Sequence, residues 1–232
     1  LKSYNQAIDS FKKALKLNPQ FSEAYNNLAN AYKLTNQIDN AIINYNKSIE
    51  KNKKNLTAYF NLAVLYKENK KYEESKEIYK KILLVDKDNL IAKHDIGAIE
   101  SVLGNFDSAR NYFADVISNN SSNYKSFKNY IEITNINKDD TIFNKLQDIS
   151  VAEESSENQI DIYYSLSKGY FDIGEIKLGF ENLEKAKKIK KNLSKFSIKR
   201  EKKNFDNLKK YFDYYNSVEV NNLVDIEKVP IF

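Results

Sequence analysis

The sequence predicts an all-α protein, a solenoid of helix-turn-helix units, and three observations carry that prediction. Blocks beginning at Ser22, Leu56 and Leu90 align without a gap at a spacing of 34 residues. Self-similarity at such a period marks stacked supersecondary units. Within each block the apolar residues fall three or four positions apart, so they share one helical face. Two columns of small residues recur among them, one per helix, where helices can approach closely.

The elements follow in order. Ala7 and Phe11 belong to the second helix of an incomplete first unit, and Pro19 marks the turn after it. Tyr25, Tyr59 and Phe127 open the first helices of later units, while Leu28, Leu62, Ile96 and Leu166 supply the next apolar turn. Directly after them stand Ala29, Ala63, Gly97 and Ser167. The second helices answer with Ala7, Ala41, Ser75, Ala109 and Gly179, and Phe11, Tyr45, Tyr79 and Phe113 fill the volume one turn later. Lys93 replaces an opening aromatic and Glu100 replaces the tyrosine seen at Tyr32 and Tyr66, which predicts a looser third unit.

From Tyr124 the register weakens. Tyr124 to Asn135 reads as a first helix, but the segment Thr141 to Ile149 is short and places Phe143 where a small residue belongs. Polar Val151 to Gln159 reads as a loop, and Ile160 to Lys190 as a helix pair with Gly174 ending its first member. Ser197 to Tyr214 carries Ile198, Phe205, Leu208 and Phe212 on one face, a capping helix for the array. The expected division is a repeat array over 1–135, comprising a partial unit, three full units and the first helix of a fourth. An irregular repeat and final helix pair follow over 136–191, then a linker helix and the start of a further domain over 192–232.

In its period and its aromatic, leucine and alanine columns the chain resembles the tetratricopeptide repeat (TPR) family, closely over Ala7 to Asn123 and again over Ile160 to Lys190. The resemblance implies a right-handed superhelix whose first helices line a concave groove that takes a peptide or protein partner.

Composition narrows the function. The chain has 232 residues, 41% of them hydrophobic, enough for a core. It has no Cys, which excludes disulfides and thiolate chemistry, and one histidine, His94, which cannot form a multi-histidine metal site. Its 37 basic and 32 acidic residues interleave, the pattern of a solvated helical surface and not of a nucleic-acid face. No apolar run, that of Ile82 to Val85 included, approaches the roughly 18 residues of a membrane helix. No signal-peptide core is visible in LKSYNQAIDS, and a cytoplasmic protein is expected. Neither a phosphate loop nor a nucleophile beside a base occurs, so no catalytic residue and no cofactor is assigned to this chain.

Binding residues are expected on the first helices. Asn27, Asn61, Asp95 and Asn129 form a polar column just before the packing position. An amide offers a donor and an acceptor and can grip an extended backbone. The column is similar to the asparagine ladder in the TPR superhelix of O-linked N-acetylglucosamine transferase; the other reading is that these amides support neighbouring helices. Asn26, Asn30, Lys33, Phe60, Lys67, His94 and Lys128 complete the expected groove. Asn30, Lys33 and Lys67 invite comparison with the carboxylate clamp of chaperone-binding TPR domains, although Phe60, Val64 and Ala98 stand where a clamp needs polar groups. His94 reads as a groove or packing residue more than as a proton switch.

The final residues, EKVPIF, read as the opening of a buried strand, and with Leu1 in place of Met they suggest a piece of a longer protein. The order of the last helix pair, a basic helix end, an amphipathic helix and Pro230-Ile231-Phe232 resembles the bacterial TPR-sulfotransferase family. That resemblance implies a transferase whose loop, beyond Phe232, binds 3'-phosphoadenylyl sulfate (PAPS), with this chain as its partner-binding or substrate-presenting arm. A non-enzymatic scaffold that binds a partner peptide is the alternative, and a glycosyltransferase arm a third.

Overall fold

The computed structural model describes residues 2–193. Eleven α-helices occur among them: α1 (Lys2–Leu17), α2 (Ser22–Leu34), α3 (Ile38–Lys51), α4 (Leu56–Glu68), α5 (Tyr72–Val85), α6 (Leu90–Val102), α7 (Phe106–Asn119), α8 (Tyr124–Ile133), α9 (Thr141–Gln147), α10 (Ser156–Asp172) and α11 (Ile176–Leu193). The pairs α2/α3, α4/α5, α6/α7 and α10/α11 pack as hairpins; α2 packs on α1, α4 on α3, α6 on α5, α8 on α7 and α10 on α8. This is a TPR-like solenoid. The expected helix at Ser197 to Tyr214 and the strand at Pro230 lie outside the described residues.

Asparagine sets the unit boundaries. Asn55, Asn89 and Asn123 each end a unit and accept a hydrogen bond from the backbone N–H of Ala58, Ala92 and Ser126, at 3.3, 2.9 and 3.0 Å. Each such N-cap contributes about 1 kcal/mol. Between the two helices of a unit the chain turns through a left-handed residue: Asn36, Lys70, Gly104 or Gly174, with φ of 59, 59, 83 and 82°. Glycine enters that region without the Cβ penalty, and Asn36 tolerates it better than Lys70 does.

The small columns meet as the sequence requires. Ala29, Ala41, Ala63, Ser75, Gly97 and Ala109 are buried, and Tyr45, Tyr79 and Phe113 are wholly enclosed beside them. A Cβ on Gly97 would come within 2.9 Å of the Phe113 ring, so this residue fixes how closely α6 and α7 lie.

Two expectations are corrected. The third unit is not looser: Glu100 is buried, where it accepts from Asn105 Nδ2 at 2.7 Å and meets Lys76 at 3.4 Å. Lys93 pairs with Asp115 of α7 at 2.6 Å. The segment after α9 is only partly a loop. A 3₁₀ turn covers Val151–Glu153, and α10 begins at Ser156, because Ser155 Oγ caps the N–H of Asn158 at 3.3 Å. Phe143 does occupy a small-residue position, yet it is buried, because Gly169 of α10 leaves room for its ring. Any Cβ at Gly169 would stand 2.1 Å from that ring.

The enclosed column yields a prediction. Ala63 is wholly buried, and its carbonyl accepts from Ser75 Oγ at 2.7 Å. Ala63→Leu should overpack this contact and lower stability by about 1–3 kcal/mol in urea melts. A neutral outcome would refute the register.

Candidate functional site: the face of the first helices

The first helices of successive units stand in a row, α2, α4, α6, α8 and α10, and a side-chain bridge crosses every junction. Between α2 and α4, Asn61 Nδ2 donates to Asn26 Oδ1 at 3.0 Å, and Lys33 pairs with Glu68 at 2.7 Å. Lys67 meets Asp95 at 2.5 Å between α4 and α6. His94 Nδ1 lies 2.7 Å from Ser126 Oγ between α6 and α8, and Lys128 pairs with Asp161 at 3.0 Å between α8 and α10.

Most of the sequence-predicted binding residues therefore hold one another or a neighbouring helix. Asn26 is buried, its Nδ2 3.4 Å from the exposed Asn27 Oδ1. Asn61 is half-buried. Asn30 accepts from the Tyr45 hydroxyl at 2.5 Å, and Phe60 sits edge-on to Tyr79 with centroids 6.0 Å apart. With Asn30, Lys33 and Lys67 each engaged, the three do not converge as a clamp.

Asn129 differs. It makes no side-chain hydrogen bond among the described residues, and it lines a cavity of about 230 Å³ between α6 and α8 together with Ala98, Ser101, Val102, Phe113, Glu132 and Ile133. Sequence reasoning missed the partners Glu68, Ser126 and Asp161. Their signal was present: complementary polar residues roughly one repeat apart on adjacent first helices.

The tyrosines of the second helices divide by partner. Burial, and then the Glu68 carboxylate, push the Tyr45 hydroxyl up to about 12. Tyr79 occupies the next equivalent position, but Val64 stands where Asn30 would be, and its buried hydroxyl has no hydrogen-bond partner. Burial first, and the Asp95 carboxylate second, raise its pKa strongly.

Comparison with known proteins bears on the fold. Profiles described as TPR repeat and tetratricopeptide repeat match residues 1–36, 22–55 and 44–77. Residues 1–77 are tetratricopeptide repeats. None of the curated proteins compared matches the chain. Among solved structures it is similar to YrrB, a TPR protein with an unusual peptide-binding site, at 21% identity over 78% of this chain and 93% of that one, with a TM-score of 0.59. A MamA structure is similar at 15% identity and a TM-score of 0.61, covering 76% of this chain and 97% of its own. BtubC from P. vanneervenii gives 14% identity and a TM-score of 0.61, with 84% and 91% covered. At these identities the likeness concerns the fold.

Every regular element among the described residues is helical, and Gly104 and Gly174 sit in helix-to-helix turns, so no strand-loop-helix phosphate cradle exists among them. No group of three or more potential metal ligands occurs there, and no described helix is long and apolar enough to cross a membrane.

Two predictions follow from this chemistry. Tyr45→Phe removes a hydrogen bond to Asn30 and should cost about 0.5–1.5 kcal/mol in urea melts, whereas Tyr79→Phe removes an unpartnered hydroxyl and should be neutral or stabilising. His94 supplies a pH test. Burial holds its imidazole below the ordinary range, Asp95 opposes that shift, and Lys67 and Lys125 reinforce it. In the unfolded chain the ring protonates near pH 6.5, so as pH falls the unfolded state gains protons first. The contribution is complete above the unfolded pKa and is lost as pH falls through the folded one. The sole imidazole resonance should titrate below about 6.5, and the urea midpoint should drop on acidification less in His94→Gln than in the parent.

Proposed function

We propose that this TPR chain is a protein-interaction module that takes an extended peptide along the face of its first helices, as a binding arm and not as a catalyst. The observation that carries the reading is Asn129, an amide without a side-chain partner among the described residues, in the lining of a 230 Å³ cavity that also presents Ala98, Phe113 and Ile133. Such a pairing suits a peptide whose backbone is held by the amide while one apolar side chain enters the cavity. The peptide-binding site of the structurally similar YrrB supports it by analogy of fold. Asn27, exposed on α2, extends the same line; Asn61 and Asp95 act as bridges that keep the face in shape.

A narrower reading makes this module the arm of a PAPS-dependent sulfotransferase. Its support is the sequence resemblance over 160–232, in particular Pro230-Ile231-Phe232. It is tested by adenosine 3',5'-bisphosphate, which should raise the melting temperature of the whole gene product and leave the 232-residue chain unchanged.

For the peptide reading, random dodecapeptides displayed on phage serve as the probe, and selected sequences are then titrated as free peptides. Asn129→Ala should weaken binding by about two- to tenfold, matching 0.5–1.5 kcal/mol for its hydrogen bonds, with the urea midpoint unchanged. Ala98→Leu should fill the cavity and abolish binding of peptides with a large apolar anchor. Asn61→Ala should instead lower stability. Failure to enrich any peptide, or affinities indifferent to both Asn129→Ala and Ala98→Leu, would overturn the proposal.

A further inference from the structure

A run of ion pairs follows the face of the first helices. Lys33 is held by Glu68, Lys67 by Asp95, Lys128 by Asp161 and Lys168 by Asp172. Glu132 breaks the run: it lines the cavity between α6 and α8 and has no ion pair or hydrogen bond among the described residues. Lys128, one turn back, feels its charge but keeps its ammonium on Asp161. Arg110 of α7 is likewise committed, to Asp107 and to the Ile133 carbonyl. Lys125 stands about 10 Å back along the α8 axis. The cavity thus presents a carboxylate without a cation.

Its lining is graded in depth. Phe113 is wholly buried, Ala98, Asn129 and Ile133 are half-buried, and Val102 and Glu132 are exposed. An occupant therefore meets apolar surface inward and a negative charge at the solvent side. Asn129 and Glu132 are neighbours three apart on α8, with Cβ atoms about 5–6 Å from each other. Residues two apart in an extended peptide share one side and lie about 6.6 Å apart. The two spacings correspond.

We propose that this cavity selects a peptide with a Lys or Arg two positions from its apolar anchor, the anchor directed inward to Phe113 and the cation held on the Glu132 carboxylate. The inference rests on the peptide reading above and adds the chemistry of the partner. Charge complementarity carries it, since the acid at the cavity is unpaired while the cations Lys128, Arg110 and Lys168 are engaged. A Lys or Arg stem also covers exposed apolar surface such as Val102 while its head reaches the charge. The net charge of the chain, +5, acts in the opposite direction, because long-range attraction favours acidic peptides. A basic preference must therefore come from a local contact.

The dodecapeptides selected on phage serve as the probe, first for their sequences and then in a double-mutant cycle. Selected sequences should place Lys or Arg two positions from the anchor. In free peptides, changing that residue to Gln should weaken binding to the parent chain about two- to fivefold, the range of a partly exposed ion pair. The same change should have no effect on binding to Glu132→Gln. Moving the basic residue next to the anchor, on the other side of the strand, should lose a similar factor. Glu132→Lys should prefer peptides that carry Glu at the basic position. Urea midpoints of both variants should match the parent, since Glu132 is exposed. Peptides that depend on Asn129 but show no basic preference, or a Gln change that costs the parent and Glu132→Gln equally, would overturn this inference and leave the peptide reading standing. A library that yields no binder would overturn both.

Discussion

The closest approach of two helices within each unit governs the rest of this structure. At that point the chain places two small residues opposite one another, Ala29 and Ala41, Ala63 and Ser75, Gly97 and Ala109, Ser167 and Gly179. Where one of them is serine, its hydroxyl donates to the other's carbonyl, Ser75 to Ala63 at 2.7 Å and Ser167 to Gly179 at 2.8 Å. The bond satisfies a buried hydroxyl without adding bulk, so a polar residue serves where only alanine or glycine would otherwise fit. Close approach leaves room one turn on for a single large ring, which Tyr45, Tyr79 and Phe113 fill. Interiors packed this densely have few alternative arrangements, so the hairpin angle repeats and the first helices line up.

The region after α8 shows the same constraint met by a different arrangement. Phe143 puts a ring where a small residue is expected, and Gly169 on the following first helix supplies the space. Tyr170 then stacks edge-on to Phe143 with centroids 5.4 Å apart. The bulk has been exchanged between neighbouring elements, and the shortened α9 accompanies that exchange. A core formed by Phe127, Ile131, Phe143, Leu146 and Ile162 results, and it carries the stack across the break.

The polar residues on the face of the first helices divide into those that bridge neighbouring units and those that do not. Bridges such as Asn61 to Asn26 and Lys67 to Asp95 fasten one unit to the next, with donors and acceptors facing each other and little left for a ligand. Each such bridge keeps some contact with solvent and contributes modestly to stability, yet side by side they fix the relative placement of the helices. Where a bridge uses His94 and Ser126, one position over, Asn129 has no side-chain partner among the described residues and lines the cavity between α6 and α8. In the proposed function the binding role falls to this residue, which the fastening scheme leaves over.

Much of this was legible in the sequence. Period 34 set the units, and the columns from Leu28 to Leu166 and from Ala41 to Gly179 set which faces are buried, because helix packing selects residue size at fixed spacing. Local chemistry also reaches this far, since Gly174 in its turn depends on a few neighbouring residues. The start of α10 at Ser156 was missed, because a run of polar residues conceals the cap that Ser155 makes. Pairings across units were beyond sequence reading: that Asn30 serves Tyr45, that Gly169 houses Phe143, and that Asn61 is engaged while Asn129 is not. Each depends on which side chains from residues far apart along the chain arrive within about 3 Å, and spacing along one helix fixes a face without fixing its partner.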